Sequence, residues 1–132
     1  MKKSLFLFAA TIALLNAACN TEAGNMAQMN VLKDSVLAYY PSVASITVNV
    51  QDNSSLIITL GDAELYKATP EEKQKTALTI GQMALRIFDK RSHLEQGKLI
   101  VTQDERNNKA EPADGITTMI NMDSLRKAGA KQ

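Results

Sequence analysis

The sequence is short of nearly every residue type that announces a chemistry. Its 132 residues include one cysteine, Cys19, one histidine, His93, six glycines and three prolines. A single cysteine excludes an intramolecular disulfide, so the fold must be held by packing. A single histidine with no cysteine near it cannot assemble a zinc site, and His93 reads as a loop residue after a helix. Gly61, Gly81 and Gly97 stand singly, so no glycine-rich loop exists to cradle a phosphate. Charge of neither sign predominates: 15 Lys and Arg face 14 Asp and Glu, without clusters. That excludes a nucleic-acid footprint and a polybasic membrane patch. Long apolar runs are missing too. The one candidate, residues 5–15, is shorter than the roughly 20 residues a membrane helix needs. None of these features implies a metal or a cofactor.

What is present begins at the N-terminus. Met1-Lys2-Lys3 is a positive start, and the run from Leu5 to Leu15 is an apolar middle broken only by Thr11, as in a secretory signal. A helix apolar all round makes a poor buried core helix for a chain this small. Ala17-Ala18-Cys19 then resembles the box of bacterial lipoproteins, in which small residues precede a cysteine that is acylated and becomes the new N-terminus; Asn16 stands where the pattern usually has leucine, and Leu15 lies one position earlier. The resemblance implies a signal peptide at 1–18, a lipidated tether at 19–25 and one domain at 26–132. It also implies attachment to a membrane through acyl chains such as palmitate on Cys19. The competing reading is ordinary secretory cleavage after Ala18 or Ala23. Lipidation is favoured because it consumes a thiol that would otherwise be unpaired in a secreted protein. Removing residues 1–18 takes away Lys2 and Lys3 and leaves 13 basic against 14 acidic residues. Only Glu22 is acidic just after Cys19, which favours a periplasm-facing anchor, on the outer rather than the inner membrane.

Along the mature chain, Met29, Leu32, Val36, Leu37 and Tyr40 recur at helical spacing, predicting a helix over 26–40 that Pro41 stops. Ile46, Val48 and Val50 alternate with Ser45, Thr47 and Asn49, the mark of a half-buried strand. Residues 51–55 are turn chemistry, and residues 56–60 return as the second arm of a hairpin. Thr69-Pro70-Glu71-Glu72 combines a capping threonine, a proline at the first helical position and a capping-box glutamate. It predicts a helix to about Lys90 whose inward stripe is Ala77, Ile80, Gly81, Ala84, Ile87 and Phe88, widened by Leu78 and Leu85. Strands follow at 98–102 and 116–122, separated by the polar stretch Asp104 to Gly115, which is expected to be mobile for want of apolar anchors. The tail Asp123 to Gln132 has weak helical character and is expected to fray.

The order helix-strand-strand-helix-strand-strand predicts an α+β two-layer sandwich, with helices on one face of a mainly antiparallel sheet. The arrangement resembles small periplasmic lipoproteins and, loosely, bacterial BON-type domains, with no signature residue to carry over. Candidate chemistry is thin. Glu71 and Glu72 are explained by capping and the helix dipole; Ser54 and Ser55 have no companion base; Asp104-Glu105-Arg106 reads as a solvated turn. Tyr39 and Tyr40, before Pro41, could stack on a ligand but more simply pack. Two function classes follow. The favoured one is a non-enzymatic, lipid-anchored binding, accessory or immunity-type protein with an envelope protein partner and no nucleic acid. The alternative is a small periplasmic hydrolase or transferase whose site forms only in the fold.

Overall fold

A computed structural model of the chain describes residues 25–88, 93–103, 112 and 114–130. Four strands, β1 (Ser45–Gln51), β2 (Ser55–Gly61), β3 (Gln96–Thr102) and β4 (Ile116–Asn121), form one sheet in the order β1-β2-β3-β4. Both outer pairings are antiparallel and the central β2–β3 pairing is parallel. A parallel neighbour needs a long crossover. Here it is supplied by two helices, α2 (Ala63–Lys67) and α3 (Pro70–Phe88), while α1 covers residues 25–39 and α4 is Met122–Ala130. The class is α+β, as the pattern predicts.

The core lies between one face of the sheet and the helices. Ile46, Val48, Val50, Leu56, Ile58, Leu60, Leu99, Val101 and Ile120 share that face by register. Leu32 and Val36 of α1, Ala77, Ile80, Ala84 and Phe88 of α3, and Met122 and Leu125 of α4 meet them. Leu37, expected in the stripe of α1, is exposed instead, and Leu78 lies at the rim of α3. At the β1–β2 turn, Asp52 and Asn53 both take positive φ, 53° and 56°, which short polar side chains tolerate better than other non-glycine residues. Asn25, which the sequence pattern places in the tether, is helical, and its Nδ2 donates to Asn53 Oδ1 at 2.9 Å.

The start of α3 is as predicted: Glu72 N donates to Thr69 Oγ1 at 3.2 Å and Thr69 N to Glu72 Oε2 at 3.3 Å, a reciprocal capping box. One boundary needs correction at the C-terminal end. The last strand stops at Asn121 and not at Met122, because Asn121 Oδ1 accepts from Ser124 N at 3.0 Å and opens α4. The tail is helical from Met122 to Ala130, with Met122 and Leu125 buried. The close approach expected of Gly81 is made to this helix and to β4: a Cβ there would lie 2.7 Å from Leu125 Cδ1 and 3.0 Å from Ile120 Cγ2. The end of the polar stretch is also anchored, since Pro112 is buried, Gly115 N donates to Pro112 O at 3.2 Å, and Thr102 Oγ1 donates to Asp114 Oδ2 at 3.1 Å. Asp104 to Glu111 lie outside the described residues.

Candidate functional site

Among the described residues, two concave places stand out. The first is a cleft of about 290 Å³ where the end of α1, the start of α2 and the first turns of α3 converge, lined by Tyr40, Ser42, Asp62, Glu64, Glu72 and Thr76 among others. Its centre is Asp62, only 3% exposed. The Asp62 carboxylate caps α2: Oδ1 accepts from Glu64 N at 3.0 Å and Leu65 N at 3.1 Å, while Oδ2 accepts from Ser42 Oγ at 2.8 Å. Glu72 is occupied in the capping box and Thr76 Oγ1 donates to Glu72 O at 2.9 Å. Lys73, buried although charged, donates from Nζ to Ala68 O at 2.9 Å, closing the end of α2. Asp62 and Glu72 thus hold helix starts, Glu64 is an exposed carboxylate, and no histidine lines the cleft. The Ser42–Asp62 pair lacks the base that would turn a hydroxyl into a nucleophile.

The second place is on the sheet face opposite the core. Cross-strand register lays out three rows there: Thr47, Thr59, Ile100 and Thr117; then Asn49, Ile57, Lys98 and Met119; then Gln51, Ser55, Gln96 and Asn121. α1, α3 and α4 contribute buried residues to the core on the other face, and α2 packs against that core through half-buried Leu65 and Tyr66. Within this face Ile57 and Ile100 are buried, Met119 is 61% exposed, and Lys98 is the only charged side chain in the three rows. A groove of about 160 Å³ runs between Gln51, Ser55, Ile57, Gln96, Lys98 and Met119. Amides and hydroxyls around an apolar floor suit recognition, with directional hydrogen bonds at the edges and burial in the middle.

The residues singled out by sequence are scattered. His93 is 68% exposed, with Nε2 3.8 Å from Asp123 Oδ1, and among the described residues no group of three His, Cys, Asp or Glu could hold a metal. Tyr40 lines the cleft and packs on the core, while Tyr39 points outward and touches it edge-on, ring centroids 4.9 Å apart. Glu71 is exposed in the first turn of α3. Ser54 acts through its backbone: its N–H donates to Gln51 O at 3.1 Å, and its carbonyl accepts from Glu95 N at 2.8 Å, tying the hairpin to the segment before β3. Cys19 and Asp104-Glu105-Arg106 lie outside the described residues. Sequence reasoning missed Asp62, Lys73 and the open face. An aspartate before Ala63-Glu64-Leu65 was a readable cap signal; nothing local marks Lys73.

No protein-family model, no curated protein and no solved structure matches this chain. Among the described residues no helix is long and apolar enough to cross a membrane.

Proposed function

We propose that this chain is a lipid-anchored binding protein of a bacterial envelope, held to a membrane through Cys19 and engaging a protein partner with its helix-free sheet face. The observation that carries the binding reading is the part of that face away from Gly115, which lies against Ile100: Asn49, Gln51, Ser55, Gln96 and Asn121 around Met119, with a single lysine. The carboxylates with fixed geometry in the competing cleft are taken up in capping, which favours recognition over acid–base work. The anchor reading rests on Ala17-Ala18-Cys19 after the apolar run. Acyl chains contribute about 0.8 kcal/mol per buried methylene, so two or three long chains give lasting attachment where one alone is marginal.

Two experiments test the two halves separately. Mass spectrometry of the mature N-terminus should find an acylated Cys19, and Cys19→Ser should leave the membrane fraction or stall as uncleaved precursor. A cleaved chain with a free Cys19 thiol, or one beginning at Gly24, refutes the anchor. For the face, affinity capture from solubilised envelope should recover a partner with the wild-type chain and lose it with Asn49→Arg. A partner retained by that variant refutes the assignment of the face.

A further inference from the structure

β4 is an outer strand of the sheet: β3 pairs with one of its edges, and no described strand pairs with the other. Proteins guard such edges with lysine, proline, a bulge or a covering element, because a free row of amides and carbonyls templates another strand. Ile116-Thr117-Thr118-Met119-Ile120-Asn121 has no charge, no proline and no glycine. Four of its six residues are exposed, Met119 at 61% and Ile116 at 38% among them, whereas β1, the other outer strand, is half-buried along most of its length.

We propose that two copies of this chain pair antiparallel through their β4 edges, around a twofold axis passing beside Thr118. An antiparallel strand pair is the one edge contact that is self-complementary, since each copy offers the same surface to the other. Register restricts it further. Directly opposite residues must point to the same side of a continuous sheet, so pairing centred on Thr118 sets Thr117 against Met119 and Ile116 against Ile120. Those pairs share faces: Thr117 and Met119 lie on the open face, Ile116 and Ile120 on the core side. Charge opposes nothing, because the strand is neutral and the whole chain nearly so. The helices of both copies fall on one side, and the two open faces join into one eight-stranded surface. Five residues of ladder, 116 to 120, make a small interface, so the dimer is concentration-dependent. The contact uses an edge and not a face, and it stands whether or not the open face has a partner.

The test uses the full chain purified in detergent. Sedimentation should show a monomer–dimer equilibrium at micromolar concentration. Oxidation of Thr118→Cys should cross-link two copies, because opposed Cα atoms about 4.5 to 5.5 Å apart fall within disulfide reach; Asn49→Cys on β1 should give only the wild-type background. Met119→Lys restores a guarding charge at an exposed position and should return the chain to monomer with an unchanged circular dichroism spectrum. Thr117→Pro should do the same by steric interruption of the edge. A monomeric wild type, a species larger than a dimer, cross-linking at 118 no greater than at 49, or a dimer that survives both edge variants overturns the pairing.

Discussion

Replacing Gly81 by alanine sets two opposed effects against each other at the junction of α3, β4 and α4. Alanine favours an interior helical position over glycine by about 1 kcal/mol. Against this, the new methyl would lie 2.7 Å from Leu125 Cδ1, 3.0 Å from Ile120 Cγ2 and 3.8 Å from Met122 Sδ. Leu125 Cδ1 is the end of a flexible side chain and can turn away, whereas Ile120 is β-branched, 2% exposed and stiff at χ1. Overpacking of this kind costs about 1 to 3 kcal/mol. Gly81→Ala alone should therefore destabilise by about 1 kcal/mol once the propensity gain is subtracted, and Gly81→Leu by more. The cost should shrink in a Leu125→Ala background, because the nearest atom is gone while Ile120 Cγ2 still stands 3.0 Å from the new methyl. Urea denaturation of the four chains, read at constant slope, gives the coupling between positions 81 and 125. A stabilising Gly81→Ala in the wild-type background would refute the docking of α4 against α3.

Three further substitutions probe how the helices are held. Asp62→Ala removes a buried acceptor of three hydrogen bonds and should cost about 2 kcal/mol, seen as a lower urea midpoint. Thr69→Ala breaks one arm of the capping box and should cost about 1 kcal/mol, with Glu72→Gln within about 0.5 kcal/mol of wild type because glutamine serves the same box. Gly115→Ala drives a methyl into Ile100 Cγ2 and against Pro112 O, so thermal melting should show a loss of about 1 to 3 kcal/mol; an unchanged midpoint would mean that residues 112–115 do not rest on the sheet.

The sequence was most legible where several local signals agreed. Thr69, Pro70 and Glu72 each mark the same helix start, and the alternation from Ser45 to Val50 shows which face of β1 is buried. It was least legible where elements are short or their faces are both apolar. α2 spans five residues, too few for a periodic stripe. Ile120 and Met122 continue the strand alternation past Asn121, so only the cap geometry at Asn121 separates β4 from α4. In β2 the run Leu56-Ile57-Ile58-Thr59-Leu60 hides the open face, because Ile57 is buried there as deeply as a core residue. The cleft draws on residues 40–43, 62–68 and 72–76, which no spacing rule connects. The parallel β2–β3 pairing is likewise a product of the crossover and leaves no mark in either strand.

If Cys19 is acylated and the β4 edges pair as proposed, the two together fix an orientation that can be measured. Six residues from Cys19 reach at most about 20 Å even when extended, so an acylated Cys19 would keep Asn25, bonded to Asn53 at the β1–β2 turn, close to the membrane in each copy. An antiparallel pair places these two turns at opposite ends of the joined sheet. Both can reach one membrane only if the twofold axis runs along the membrane normal and the sheet lies flat over the surface. Because α1 packs on the core face through Leu32 and Val36, the tethers leave from the helical side. The helices then face the lipid and the open face points away, towards a partner. A fluorophore on Gln82→Cys, on the exposed side of α3, should be quenched more strongly by headgroup nitroxide lipids than one on Asn49→Cys of the open face, with the lipidated chain in vesicles. Stronger quenching at position 49 would turn the sheet over and refute the arrangement.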